Sequence, residues 1–160
     1  MARLESGNLR LNRTISRVAD LVAGAAEPLL RRLEGRLRLE IAPGLPPLHV
    51  DADLVQLALR QLIDNAVKYS PPGTSIRIRT QADESQVVFT VQDEGAGIPE
   101  EERKRIFDRF YRSSKNRYSV PGAGLGLAIA SNIVKAHGGE IRVEGSSFHL
   151  SIPIENGVPL

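Results

Sequence analysis

Three glycines at alternate positions, Gly122, Gly124 and Gly126, lead directly into an apolar pattern with helical spacing that continues to about Ala136. Glycine adopts backbone angles that are closed to other residues and lets a ligand approach the main chain closely. A helix that begins at such a segment directs free N–H groups and the positive end of its dipole at whatever lies in front of it. The segment is typical of a phosphate-binding loop, although a plain glycine-rich turn explains the glycines equally well.

The composition is that of one globular domain. The chain has 160 residues, of which 41% are hydrophobic and 25% are charged, and a chain of this length buries about two-thirds of its unfolded surface. There are no cysteines, which excludes disulfides and thiolate metal sites. The net charge of +2 and the aromatic content of 4% give no indication of nucleic-acid binding. No apolar run is long enough to span a bilayer.

The hydrophobic pattern predicts alternating helices and strands. Helices are expected over 15–33 with a kink at Pro28, from Asp51 or Asp53 to 69, over 100–107, and up to 136. Strands are expected over 38–41, 75–80, 86–92, 140–144 and 148–154. This order predicts an α/β (α+β) two-layer sandwich, in which one mixed, mostly antiparallel sheet is covered by helices on one face.

The helix predicted to end at Tyr69 carries polar residues on one face. Gln61 lies one turn before Asn65, and Lys68 lies about one turn after it. Amide oxygens can coordinate Mg²⁺ and an ammonium group can contact a phosphate. A buried structural amide is the alternative, but three such residues on one edge favour a ligand site.

Asp93 ends a predicted strand immediately before the turn that contains Gly95 and Gly97. Turn formation alone can account for an aspartate at this place. As a binding residue, its carboxylate would accept the exocyclic N–H of adenine but would face the O6 acceptor of guanine. A hydrogen bond to a charged group contributes about 1.5–3 kcal/mol, so this site would prefer adenine.

The segment 106–112 combines aromatic and basic residues. Phe107 and Phe110 are expected to anchor a helix end to the core. Arg109 and Arg112 lead into a basic segment, 108–121, which is expected to act as a lid ordered by nucleotide. A merely solvated loop is the alternative.

The histidines offer no sign of covalent catalysis. His137 is explained as a cation favoured by the dipole at a helix C-terminus. No histidine lies beside an acidic residue on an exposed helix, as a phosphoacceptor requires, and no serine has a credible base partner.

Four segments in this order resemble the nucleotide-binding boxes of sensor histidine kinases. Residues 61–70 are similar to the N box, 93–99 to the G1 box, 106–112 to the F box and 122–127 to the G2 box. The resemblance covers about residues 10–154. Residues 2–7 are similar to the end of a helix of the dimerisation and phosphoacceptor domain. The implied organisation is a remnant of that helix over 1–9, an ATP-binding catalytic domain over 10–156 and a tail over 157–160.

The resemblance implies the Bergerat fold shared with gyrase, Hsp90 and MutL, with ATP and Mg²⁺ bound. It implies that Asn65 and Gln61 hold the metal, that Lys68 and Arg112 position phosphate, and that no residue acts covalently. The nucleotide-binding residues it implies are Asn65, Lys68, Tyr69, Asp93, Gly95, Gly97, Ile98, Arg112, Gly122, Gly124, Leu125, Gly126 and Leu127.

Two positions depart from the family pattern. Gln61 stands where the family has asparagine, and its longer amide can reach the metal directly or through water. The connection over 143–148 is short, which is expected to trim a hairpin and leave the site alone.

Gln61 also bears on the reaction. Relatives that hydrolyse ATP have a glutamate base there, and a glutamine amide cannot accept a proton at neutral pH. The resemblance therefore implies transfer of the γ-phosphoryl group to a histidine on a separate domain. The alternatives are an ATPase switch of the same fold, an anti-sigma-type serine kinase and a non-catalytic nucleotide-binding module.

The resemblance also implies the partners. These are the upstream dimerisation and phosphoacceptor domain and, through the parent kinase, a response regulator. No nucleic acid and no direct membrane contact are expected. The domain is expected to be a cytoplasmic monomer, within a parent protein that is anchored to a membrane.

Overall fold

The computed structural model describes residues 10–33, 35–97, 100–103, 106–107 and 126–155. The strands in these ranges are β1 (Thr14–Ser16), β2 (Leu37–Ile41), β3 (Leu48–Val50), β4 (Ile76–Ala82), β5 (Gln86–Gln92), β6 (Glu140–Glu144) and β7 (Ser147–Pro153). The α-helices are α1 (Val18–Ala26), α2 (Leu30–Leu33), α3 (Ala52–Tyr69) and α4 (Gly126–Ala136). Short 3₁₀ turns cover Glu27–Leu29 and Glu100–Glu102.

Five strands form one mixed sheet in the order β2-β4-β5-β7-β6. Only the β2–β4 pair is parallel, and the β4–β5, β5–β7 and β6–β7 pairs are antiparallel. The predicted mixed, mostly antiparallel sheet is therefore confirmed. Strands β1 and β3 pair antiparallel in a separate small sheet.

The core lies between one face of the large sheet and the helices. On β4, β5 and β7 the alternate residues Ile78, Phe89 and Leu150 are at most 1% exposed, and all three point to the helix side. The opposite face is polar, where Arg77 and Arg79 both pair with Glu40 of β2. This arrangement confirms two layers, with helices on one face of the sheet.

Helix α3 has clear signals at both ends. The carboxylate of Asp51, rather than Asp53, caps it by accepting a hydrogen bond from Leu54 N–H at 3.2 Å. At the other end the Ser70 hydroxyl donates to Ala66 O at 2.5 Å, and two prolines follow. Because proline cannot continue the hydrogen-bond ladder, the helix ends there.

Two predictions at the N-terminal side were wrong. The helix expected from residue 15 begins at Val18, and Thr14–Ser16 forms β1 instead. The partner strand β3 (Leu48–Val50) was not predicted. Three residues are too few to display a period of two, and the pairing joins positions more than thirty residues apart. Pro28 does end the first part of the helix, in a 3₁₀ turn.

The prediction of a helix over 100–107 was also wrong at the positions that the structure describes. Glu100–Glu102 forms a single 3₁₀ turn, and Arg103, Ile106 and Phe107 lie in turns. Short runs that start with acidic residues suit either helix type, so the sequence alone does not separate them.

His137 is a buried neutral residue, which corrects its interpretation as a cation. It is 5% exposed, and its Nε2 accepts a hydrogen bond from Asp51 N–H at 3.1 Å. Since Nε2 accepts, Nδ1 carries the proton and donates to Ile133 O at 2.8 Å. Burial lowers the pKa of His137 below the ordinary value of 6.5.

We expect the domain to lose stability in acid through His137. A pKa lowered by folding means that the unfolded chain binds the proton more tightly, so stability is present above pH 6.5 and falls below it. Burial also lowers the pKa of His149, which adds to this effect with the same sign. The measurement is urea unfolding between pH 7.5 and 5.5. The profile of His137→Gln should be flatter than that of the unsubstituted chain, and equal slopes would contradict the prediction.

Candidate nucleotide-binding site

Helix α3 presents its polar residues as the sequence predicted. Gln61 and Asn65 are half-buried, and Lys68 is exposed near the C-terminal end. Within the described part of the chain, neither amide side chain has a hydrogen-bond partner.

Helix α4 begins beside this face. A Cβ built on Gly126 would overlap Gln61 Oε1. Glycine at the start of α4 thus lets the helix approach the α3 amide closely, which gives a physical role to the last of the three alternate glycines. Leu127 follows and is half-buried against the core.

Asp64 is a residue that sequence reasoning missed. Its Oδ2 lies 3.1 Å from Lys68 Nζ, and its Oδ1 lies 2.5 Å from a guanidinium nitrogen of Arg32. The spacing of four residues between Asp64 and Lys68 was visible in the sequence and could have identified the pair. Lys68 therefore contacts a carboxylate here, and a bound phosphate would compete with that carboxylate for the ammonium group.

The turn after β5 orients Asp93. Gly95 N–H donates to Asp93 Oδ1 at 2.6 Å, and Asp93 N–H donates to Ser146 O at 3.2 Å. Among the described residues, Asp93 Oδ2 has no hydrogen-bond partner. One carboxylate oxygen is thus held by the turn, and the other is available to accept a donor.

The environment of Asp93 is partly apolar. Burial raises the pKa of Asp93 above 3.8, while the Gly95 N–H and the positive charge of Arg36 oppose the shift. A carboxyl group with a perturbed pKa at the end of the central strand β5 is a candidate for a binding site.

At Gly95 and at Gly97 the backbone of another segment lies too close to leave room for a side chain. A Cβ on Gly95 would lie 2.9 Å from Tyr69 O, so the end of α3 adjoins the Asp93 turn. Gly97 has a φ of +83°, and a Cβ there would lie 2.8 Å from the carbonyl carbon of Gly145. Neither position accommodates a larger residue without a shift of backbone.

The hairpin between β6 and β7 contacts the turn that carries Asp93. Gly145 packs on Gly97, and Ser146 O accepts from Asp93 N–H. The short connection therefore supports the turn that carries Asp93.

The predicted aromatic anchor at Phe107 is confirmed. Its ring meets Phe148 edge to face, with centroids 6.2 Å apart, and the adjacent Ile106 is 3% exposed. The remaining predicted site and lid residues lie outside the described ranges: Ile98, Arg109, Phe110, Arg112, Gly122, Gly124 and Leu125.

A metal ion at this site would need amide and nucleotide oxygens as ligands. No group of three or more histidine, aspartate or glutamate residues within the described ranges could hold a metal. The half-buried oxygens of Gln61 and Asn65 are hard donors, which fit Mg²⁺ bound together with phosphate and water.

An apolar groove of about 470 Å³ lies elsewhere, between β1, α1 and the segment after β2. Among the described residues that line it, Arg17 alone is charged and none is a predicted nucleotide-binding residue. A triphosphate requires more charge than these lining residues supply.

The fold and the site together define a two-layer α/β domain whose polar α3 face adjoins an Asp-Glu-Gly-Ala-Gly turn. The chain belongs to the family described as histidine kinase-, DNA gyrase B-, and HSP90-like ATPase, whose model matches residues 50–156. Its relatives within that family are sensor histidine kinases. No described helix is long and apolar enough to cross a membrane.

One relative is the adaptive-response sensory kinase SasA of Synechococcus sp. (strain JA-3-3Ab). It is 38% identical over 162 residues, which cover 96% of this chain and 43% of the relative. This chain therefore spans less than half the length of that relative.

Solved structures agree with this family. A mycobacterial sensor histidine kinase MprB superimposes with a TM-score of 0.76 at 31% identity, covering 90% of this chain and 97% of that one. Full-length ShkA in complex with AMPPNP superimposes with a TM-score of 0.81 at 27% identity, covering 99% and 35%.

Proposed function

We propose that this chain is the part of a sensor histidine kinase that binds Mg²⁺-ATP and donates its γ-phosphoryl group to a histidine on a separate domain. The observation that carries the proposal is the contact between the end of α3 and the Asp93 turn, where Tyr69 O lies against Gly95. This contact brings Asp93, the carboxylate that we propose reads adenine, close to the helix that carries Gln61, Asn65 and Lys68. The ShkA complex with AMPPNP supports the choice of an adenine nucleotide.

Each group has a role that its chemistry supports. Asp93 Oδ2 accepts the exocyclic N–H of adenine. The amides of Asn65 and Gln61 would hold Mg²⁺, which neutralises phosphate charge when it is bound. Lys68 and Arg112 position the phosphates, and the glycines from Gly122 to Gly126 let the main chain approach them.

Transfer needs positioning and charge neutralisation more than covalent participation by this chain. An imidazole nitrogen of the acceptor attacks the γ-phosphorus in line, the bond from phosphorus to the β,γ-bridging oxygen breaks, ADP leaves and the imidazole loses its proton. Gln61 cannot act as a base for water. Transfer to a histidine is therefore favoured over steady hydrolysis by an ATPase switch.

Labelled phosphate tests the proposal directly. The chain is mixed with the dimerisation and phosphoacceptor domain of its parent kinase and with ATP labelled in the γ-phosphoryl group. Label on a histidine of the acceptor is expected. Steady release of phosphate without acceptor would instead indicate an ATPase, label on serine would indicate a serine kinase, and binding of ATP without transfer would indicate a binding module.

The wider assignments belong to the same proposal. The partners are the upstream dimerisation and phosphoacceptor domain and a response regulator that receives the phosphoryl group. The domain would act in the cytoplasm as part of a membrane-anchored parent.

A further inference from the structure

Arg36 lies in the link between α2 and β2 and closes over the turn that ends α3. Its guanidinium donates to Thr74 O at 2.8 Å, to Ser70 Oγ at 2.5 Å and to Pro71 O at 3.2 Å. The Ser70 hydroxyl donates its own proton to Ala66 O, so it accepts from Arg36. One half-buried side chain therefore ties three points of the turn over 70–74.

This turn is in contact with the residues that orient Asp93. A Cβ on Gly95 would lie 2.9 Å from Tyr69 O and 3.6 Å from the Cα of Ser70. Gly95 in turn donates to Asp93 Oδ1 at 2.6 Å. A displacement of the turn would therefore be transmitted through Gly95 to the carboxylate.

The charge of Arg36 acts on the same carboxylate. Burial raises the pKa of Asp93, and the positive guanidinium opposes this shift. The adjacent charged residue, Glu94, accepts from Ser75 N–H at 2.7 Å. On the side of the β6–β7 hairpin, Asp93 meets the backbone of Ser146. Arg36 thus favours the ionised form, in which Oδ2 can accept a hydrogen bond from adenine while Oδ1 stays bound to Gly95 N–H.

We propose that Arg36 is a positioning residue for adenine recognition, which holds the turn after α3 against Gly95 and keeps the Asp93 carboxylate oriented and charged. This inference rests on the proposed function, because it requires that Asp93 bind adenine. Arg36 lies outside the four segments that resemble the kinase boxes, and its guanidinium donates to the turn over 70–74.

The test measures ATP affinity by calorimetry from pH 5 to pH 8 for Arg36→Gln and Arg36→Lys. Arg36→Gln loses both the charge and the three-point contact, so we expect an affinity about tenfold lower at pH 7.5. Its loss of binding in acid should also begin at a higher pH, because the pKa of Asp93 rises further. Arg36→Lys keeps the charge, so the pH at which its ATP binding is lost should stay near that of the unsubstituted chain. Its affinity at pH 7.5 should fall about threefold.

Arg38→Gln is the matched control. Arg38 is exposed on β2, and among the described residues its guanidinium donates to Gly35 O and Leu37 O alone, so the variant loses the same charge without touching the turn. Its ATP affinity, and the pH at which binding is lost in acid, should match those of the unsubstituted chain.

The outcomes separate the two proposals. If the unsubstituted chain binds ATP but Arg36→Gln behaves like Arg38→Gln, the role of Arg36 is refuted and the proposed function stands. If the unsubstituted chain does not bind ATP, both are refuted. Thermal melting without nucleotide shows whether Arg36→Gln is folded. If it is unfolded, Arg36→Lys is the test: a lower ATP affinity, with binding lost in acid at the same pH as in the unsubstituted chain, supports the role of Arg36, and an unchanged affinity refutes it.

Discussion

Replacing Asp93 with asparagine should weaken ATP binding at least tenfold while leaving the fold intact or more stable. The amide would present a donor to the exocyclic N–H of adenine, and a loss of about 1.4 kcal/mol corresponds to tenfold in affinity. Folding raises the pKa of Asp93, so its ionised form at neutral pH is less stable in the folded chain than in the unfolded one. The neutral amide removes this cost and can still accept from Gly95 N–H. Calorimetry and thermal melting provide the two measurements.

Asp83→Asn is the control for this substitution. Asp83 lies in the β4–β5 turn, where it accepts from the backbone and hydroxyl of Ser85 and from Gln86 N–H. These bonds lower the pKa of Asp83, so its replacement should reduce stability and leave ATP affinity unchanged. If Asp93→Asn bound ATP within twofold of the unsubstituted chain, the assigned role of Asp93 would be wrong.

Replacing Gly139 with alanine should destabilise the domain strongly without involving the nucleotide. Gly139 connects α4 to β6, and a Cβ there would overlap the Ser151 carbonyl oxygen in β7. The same Cβ would lie 3.1 Å from Val134 Cγ1. Because a backbone carbonyl within the sheet cannot move aside, we expect a loss of about 1–3 kcal/mol in the free energy of unfolding. At about 2–4 °C per kcal/mol for a chain of this size, the melting temperature should fall by several degrees.

Gly24→Ala provides the comparison. The three atoms nearest to a Cβ on Gly24 in α1 would all belong to the amide end of Gln56, the first at 2.5 Å, and that flexible end can rotate away. Alanine also favours a helix over glycine by about 1 kcal/mol. Equal melting temperatures for the two alanine variants would contradict the steric argument at Gly139.

The long elements were predictable because each repeats its own signal. Helix α3 has several turns of apolar spacing between an aspartate cap and two prolines, and β4 and β5 alternate over seven residues each. Strands β1 and β3 have three residues each, so they contain no period to detect and depend on each other for pairing.

The site was predictable only in part, for a similar reason. Gln61, Asn65 and Lys68 share a helix, so helical spacing alone brings them to one face. The neutral state of His137 depends on Asp51, which is 86 residues away. The hydrogen bond between Arg36 and Ser70 joins residues that are 34 positions apart in the sequence, and no local pattern indicates it.

The sequence by itself determined the order of the longer helices and strands, the polar face of α3 and the carboxylate that precedes the glycine turn. Those features follow from short-range periodicity and from the backbone needs of glycine and proline, which act within a few residues. Only the tertiary structure decided which backbone atoms surround Asp93, how Arg36 and the β6–β7 hairpin support it, and why Gly126 must be small beside Gln61. These depend on close approach between distant segments, which is set by packing the helices on one sheet face.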